Sequence, residues 1–176
     1  MAAAKEQLPS PLVTYVEGDA TSPKGEGLKI IAHCNNDIGA WGAGFVMSLS
    51  KKWDRPEKVY REWSSKRGGQ LPLGAMQLVP VEKGIAVANI VGQTGIRTAK
   101  GGVPPIRYEA ISRGFGYLAA YALKTCEEKV SIHMPRLGCN LAGGSWAKIE
   151  PLIDEHFVAH GIPVTVYDWP GASFNP

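Results

Sequence analysis

Two glycine-rich segments constrain the fold of this chain more than any other feature, because each follows an apolar run and precedes a helical pattern. GAWGAG (39–44) comes shortly after LKIIAH, and GCNLAGG (138–144) comes one residue after VSIHMPR. Continuous apolar runs bounded by turn residues are typical of strands buried on both faces. The sequence therefore predicts an α/β domain in which both segments leave the carboxyl end of a strand and enter a helix.

The order of the other elements defines the architecture. Ser145 is a candidate N-cap for the last helix. Pro151 lies inside the predicted span, so either its first turns are bent or the helix starts elsewhere. The order β-β-α-α-β-β-α-β-α-β predicts a three-layer α/β/α sandwich with a mixed, about six-stranded sheet. The patterns place strands at 12–18, 28–33, 130–136 and 162–169, a hairpin over 74–93 turned at Lys83–Gly84, and helices at 45–53, 56–67, 107–125 and 145–160.

Length and composition limit the class of protein. The 176 residues are enough for one domain with a full core, and we expect a disordered lead-in at 1–11, a single domain at 12–170 and a tail at 171–176. The net charge of +3 comes from interspersed residues, which does not suggest a nucleic-acid partner. No apolar run approaches the roughly 20 residues of a membrane span, and the N-terminus lacks an apolar signal core.

Cysteine and histidine usage gives the expected compartment and cofactors. Cys34, Cys126 and Cys139 are odd in number and have no paired spacing, which favours a reducing, cytoplasmic environment. The four histidines form no HExxH motif and no C-x-x-C is present, so neither a metal nor another cofactor is expected.

The two glycine loops are suited to binding a diphosphate. Helix N-termini and successive free N–H groups bind anions, and glycine lets the backbone approach a phosphate closely. Arg136 is the cation adjoining these loops, so recognition is expected to depend on backbone amides. Neither loop fits the Walker or the dinucleotide-binding pattern. The alternative for either loop alone is a tight strand-to-helix turn without a ligand.

Five segments in order give the chain a resemblance to a known family. VEGDAT, IIAHCNNDIGAWGAGF, VANIVGQ, MPRLGCNLAGGSW and VTVYDW together resemble a macrodomain, the module that binds ADP-ribose, over roughly residues 13–169. The HCNND-x-G-x-WGAGF form is most similar to the branch that holds the terminal ADP-ribose protein glycohydrolase and the macrodomain of the liver-cancer-amplified chromatin remodeller.

The resemblance implies roles for individual residues. Asp19 would accept a hydrogen bond from the adenine amino group, and Tyr167 and Trp169 would line the adenine pocket, although core packing explains these two equally well. His33 and the two asparagines at 35 and 36 would lie near the distal ribose, and His33 has a structural role as its alternative. The full set of implied ligand-binding residues is Asp19, Ala20, Asn36, Trp41, Gly42, Ala43, Gly44, Phe45, Pro135, Arg136, Leu137, Gly138, Cys139, Asn140, Leu141, Ala142, Gly143, Tyr167 and Trp169.

Departures from the family bear on activity. The resemblance implies that the glycohydrolase of this branch uses a lysine nucleophile and an aspartate in the second phosphate loop. The position of that lysine holds Gln93 in this chain, and the position of that aspartate holds Ala142. That mechanism is therefore lost. The leading hypothesis is a monomeric hydrolase that removes ester-linked ADP-ribose from glutamate or aspartate of modified proteins by water attack. Asn35, His33 and Gln93 are its candidate catalytic residues, while Cys34 and Cys139 are apolar fillers. The alternatives are a non-catalytic ADP-ribose reader and an ADP-ribose 1″-phosphate phosphatase.

Overall fold

The computed structural model describes residues 11–125 and 129–173, and within them the elements follow the predicted order. Most of the predicted lead-in, the end of the predicted tail and Cys126 lie outside the described residues. The strands are β1 (Val13–Glu17), β2 (Leu28–Asn36), β3 (Met76–Glu82), β4 (Ile85–Gln93), β5 (Val130–Pro135) and β6 (Val164–Asp168). The helices are α1 (Phe45–Lys52), α2 (Arg55–Lys66), α3 (Tyr108–Lys124) and α4 (Trp146–His156), followed by a 3-10 turn at Val158–His160.

The six strands form one mixed sheet in the order β1-β6-β5-β2-β4-β3. All neighbouring pairs are parallel except β3 and β4, which form the predicted hairpin. The carboxyl ends of the five parallel strands therefore meet at one edge of the sheet. The predicted fold class is confirmed.

Helices cover both faces of the sheet, and alternate residues of its central strands serve two separate cores. Ile30 and Ala32 of β2 pack in the cluster that includes α3 and α4, whereas Ile31 packs in the cluster that includes α1 and α2. This double burial explains the consecutive apolar residues at 30–32 of β2. The predicted apolar faces of α3 and α4 are the buried faces, including Phe115 and Trp146.

Two boundaries differ from the sequence predictions by three residues or more. Strand β2 continues three residues past His33, because Asn35 and Asn36 still pair with the long strand β4 across a bulge. The last helix ends at His156 and not at residue 160, because the chain tightens into the 3-10 turn that Gly161 ends at a φ of 71°. Pro151 lies inside α4 at an exposed position. Among the described residues, no helix combines the length and apolarity that a bilayer span requires.

Candidate functional site

A cavity of about 790 Å³ opens at the carboxyl edge of the sheet. Its wall includes Gly18 after β1, the end of β2, Gln93 at the end of β4, Pro135 of β5 and Tyr167 of β6. Every parallel strand therefore contributes to one pocket. Its volume lies within the range of small-molecule and cofactor sites.

The structure brings nearly all of the predicted site residues to this cavity. Cys139 and Gly143 are absent from the wall: Cys139 is buried in the core, and the amide of Gly143 closes a turn onto the carbonyl of Asn140. Residues that the sequence did not single out as ligand contacts also line the wall, and Ala172 and Ser173 belong to the segment predicted as a tail. These residues are Gly18, Cys34, Ala40, Val46, Ser48, Arg61, Ile96, Asp168, Ala172 and Ser173.

The first glycine loop turns sharply into α1 and leaves its amides available. Gly44 has a φ of 80°, and a Cβ atom there would lie 3.2 Å from Leu141 Cδ1 of the second loop. Within the described part of the chain, the N–H groups of Gly42, Ala43 and Gly44 donate to no acceptor. The two glycine loops therefore approach each other across the cavity, and the first presents a row of free donors.

Arg61 of α2 holds the carbonyls of this loop. Its guanidinium donates to the Trp41 carbonyl at 2.9 Å and to the Gly39 carbonyl at 3.3 Å, and Glu57 pairs with it at 2.9 Å. In a trans peptide the following N–H points away from the carbonyl. By fixing the Trp41 carbonyl toward α2, Arg61 directs the Gly42 N–H to the opposite side.

Polar side chains at the end of β2 organise the same loop. The Asn36 side chain accepts from the amides of Ile38 and Ala40 and donates to the Ala40 carbonyl at 2.7 Å, so its amide is engaged within the loop. Asp37 accepts from the Gly95 amide at 2.8 Å and from the Gln70 side chain at 3.0 Å. The Asp37 carboxylate thus joins three segments around the site, and Asp37 was not among the predicted site residues.

The second glycine loop follows β5 and packs against the segment that precedes α3. Gly138 has a φ of 74°, and a Cβ atom there would lie 2.6 Å from Ile106 Cδ1. The Gly144 amide closes the loop onto the Gly138 carbonyl at 2.7 Å. The amides of Asn140, Leu141 and Ala142 donate to no acceptor among the described residues. The second loop thus also offers backbone donors to the cavity.

The charge of Arg136, the cation adjoining the loops, is already compensated. Its guanidinium makes two hydrogen bonds to the Asp168 carboxylate at 2.6 and 2.9 Å, which raises the pKa of Arg136. The same group packs between the rings of Tyr15 and Trp146, at 5.0 and 5.1 Å from their centroids. The site is therefore consistent with the expectation that recognition of a diphosphate depends on backbone amides.

The side of the cavity formed by β1 and β6 is aromatic. Asp19 uses one carboxylate oxygen to cap its own turn, accepting from the amide and hydroxyl of Thr21 at 2.8 Å. Tyr167 is buried against His133, with its hydroxyl 2.7 Å from His133 Nδ1. Trp169 is 57% exposed and lies at the cavity wall. Tyr167 thus combines core packing with a cavity position.

The opposite side contains the candidate catalytic residues. Desolvation by burial lowers the pKa of His33 to about 4 and raises the pKa of the Cys34 thiol to about 12, so both groups are neutral near pH 7. His33 Nδ1 and both polar atoms of the Asn35 side chain are buried without a hydrogen-bond partner. Gln93 donates to the Gly95 carbonyl at 2.9 Å. Because its raised pKa keeps the Cys34 thiol protonated, Cys34 lacks the character of a nucleophile.

Similar proteins define the family. No family model matches the chain. A solved macrodomain protein from Streptomyces coelicolor is 46% identical, with a TM-score of 0.76, and the match covers 89% of this chain and 98% of that one. The chain belongs to the macrodomain family.

Two relatives identify the nearer branch and confirm the predicted resemblance. The mouse chromodomain-helicase-DNA-binding protein 1-like is 34% identical over 95% of this chain, which spans only 19% of that protein's length. The human ADP-ribose glycohydrolase OARD1 is 27% identical over 88% of this chain and 90% of its own length.

Proposed function

We propose that the chain binds ADP-ribose in the cavity between the two glycine loops. The observation that carries the proposal is the approach of these loops at Gly44 and Leu141, each with free N–H groups, beside one pocket. Adenine would lie between Asp19 and Tyr167, one phosphate on each loop, and the distal ribose near His33. The human relative's name, ADP-ribose glycohydrolase, supports this assignment.

The diphosphate would be held by backbone dipoles. Arg136 is engaged by Asp168, while loop amides and the N-terminus of α1 supply partial positive charge. Fixed amide donors suit a ligand whose phosphates lie close to the backbone.

We infer further that the chain removes ADP-ribose from proteins modified at glutamate or aspartate. The ester is intrinsically labile, so positioning a water and stabilising the developing oxyanion would accelerate its cleavage. Gln93 and Ala142 exclude the lysine-and-aspartate mechanism, and the high pKa of Cys34 opposes a thiolate. The unpartnered amide of Asn35 is the group best placed to hold the attacking water.

A non-catalytic reader is the second candidate function. Gln93 and Ala142 favour it, as does the neutral state of His33, which makes that imidazole a poor acid. A phosphatase acting on ADP-ribose 1″-phosphate is a third candidate and would release inorganic phosphate from that substrate.

The deciding experiment is a time course on glutamate-ADP-ribosylated protein with substoichiometric chain, beside a titration with ADP-ribose alone. Turnover supports the hydrolase, binding without release supports the reader, and absence of binding refutes both. Asn35→Ala should lower the release rate by about 100-fold while ADP-ribose still binds. Asn140→Ala is the matched substitution at the phosphate loop: it keeps the backbone amide at that position, so both the release rate and ADP-ribose binding should stay close to wild type.

A further inference from the structure

A row of hydrogen-bonded polar side chains, His33, Asn89 and Gln77, runs through the interior beneath the cavity, and apolar packing does not explain it. His33 lies between the rings of Trp41 and Phe45, and its Nε2 atom is 2.6 Å from Asn89 Oδ1. His33 and Asn89 stand directly opposite each other in the β2–β4 register, and Asn89 is fully buried. His33 Nδ1, on the other side of the ring, has no partner.

The hydrogen bonds of Asn89 fix which way its amide faces. Its Nδ2 atom donates to the Pro56 carbonyl at 3.2 Å and to Gln77 Oε1 at 3.1 Å. Gln77 is fixed in turn, because its Nε2 atom donates to the Val59 carbonyl at 3.2 Å. A backbone carbonyl can only accept, so both amides have one orientation that satisfies their partners.

This chain of donors determines the tautomer of His33. Asn89 presents its carbonyl oxygen to the imidazole, so Nε2 must carry the hydrogen. Nδ1 is then left as a lone pair, and leaving a buried acceptor without a donor is destabilising. Asn35, two residues along the same face of β2, has an amide that is likewise unpartnered.

We propose that Asn89 is a positioning residue that, with Gln77, holds His33 as the Nε2–H tautomer so that Nδ1 accepts a hydrogen bond from a sugar hydroxyl of the bound ligand. The hydroxyl assignment rests on the proposed binding of ADP-ribose, whereas the tautomer rests on the protein alone. Asn35 would contact the same part of the sugar or its attacking water.

The arrangement discriminates between ligands at this end of the cavity. A neutral imidazole with one free lone pair accepts from a hydroxyl, but it repels a phosphate oxygen that has no hydrogen to give. No charged side chain of the described residues contributes to the pKa of His33, which depends on desolvation and on Asn89. The geometry therefore favours a sugar hydroxyl over a phosphate oxygen at His33 Nδ1.

The first test is nitrogen NMR of the histidine rings in the ligand-free protein. We expect His33 to show the Nε2–H tautomer throughout pH 5.5–8, and an Nδ1–H form or a mixture would overturn the proposal. On saturation with ADP-ribose, the Nδ1 signal should shift, whereas ADP, which lacks the distal sugar, should leave it unchanged. Equal shifts with both ligands would refute the hydroxyl contact.

Variants supply the second test. Asn89→Asp should raise the pKa of His33, protonate Nδ1 and weaken ADP-ribose binding roughly tenfold, with ADP affinity unchanged. Gln77→Glu adds the same charge one link away: its carboxylate loses the donation to the Val59 carbonyl but still accepts from Asn89, so the Nε2–H tautomer should persist and ADP-ribose affinity should fall far less than in Asn89→Asp. Equal losses for ADP and ADP-ribose would refute the specific contact.

The two proposals fail separately. If neither ADP-ribose nor ADP binds the wild-type chain, the proposed function and the hydroxyl contact are both wrong, while the NMR measurement still decides the tautomer. If Asn89→Asp does not fold, the ligand shifts in the wild-type protein decide the contact.

Discussion

Acid should destabilise this protein well above the pH at which carboxylates titrate. His33 and His133 are both buried, and desolvation lowers the pKa of each from 6.5 to about 4. Below pH 6.5 the unfolded chain binds protons at these positions, while the folded chain stays unprotonated until about pH 4. Stability is therefore complete above pH 6.5 and is lost as the pH falls.

The size of this effect follows from the two pKa values. Each imidazole contributes a total loss of about 3 kcal/mol, which is complete below about pH 4, and about 2 kcal/mol of it has developed by pH 5. The two together amount to about 4 kcal/mol, a large fraction of the roughly 5–15 kcal/mol that holds a typical domain.

Urea unfolding followed by tryptophan fluorescence at pH 7 and at pH 5 measures the decrease in the free energy of unfolding directly. His133→Gln should remove about half of the pH dependence, since one buried imidazole remains. His160→Gln, at an exposed position, is the matched control and should leave the dependence as it is. Equal unfolding free energies at the two pH values would refute the argument that both imidazoles are held neutral by burial.

Three further predictions concern the loops and the thiol. Gly44→Val should lower ADP-ribose affinity more than tenfold in calorimetry, because a β-branched residue disfavours the φ of 80° and would crowd the second loop. Gly101 has a similar φ of 86°, and a Cβ atom there would meet no neighbour. Gly101→Ala should therefore lower the stability of the fold but leave the ADP-ribose affinity unchanged. Arg61→Met should weaken binding about fivefold by releasing the Trp41 carbonyl, whereas the exposed Arg67→Met should not. Alkylation at pH 8, read by mass spectrometry, should leave Cys34 unmodified, and rapid labelling would contradict its high pKa.

The sequence predicted the element order because apolar periodicity is a local property. It also indicated where the cavity lies, since parallel strands share one carboxyl edge. What it could not supply was the register between strands distant in the chain. The pairing of His33 with Asn89 depends on the β2–β4 register, and that of Arg136 with Asp168 depends on the adjacency of β5 and β6.

Some missed contacts had local signals. An asparagine followed by Asp-Ile-Gly is typical of a side chain that caps its own turn, and this is how Asn36 behaves. Nothing local indicates that Arg61 reaches back to the Trp41 carbonyl, because that contact requires α2 to pack beside the loop.

The pairing of β1 with β6 sets the order in which this domain can be completed during synthesis. Val13 pairs with Val164, so among the described strands β1 must wait for about 150 further residues before its partner β6 is synthesised. At roughly 5–20 residues per second, that wait lasts on the order of ten seconds or more. The four strands from β2 to β5 have partners among themselves earlier, but the pocket wall formed by Gly18 and Tyr167 closes last. A nascent chain would therefore acquire most of its sheet before it could hold a nucleotide.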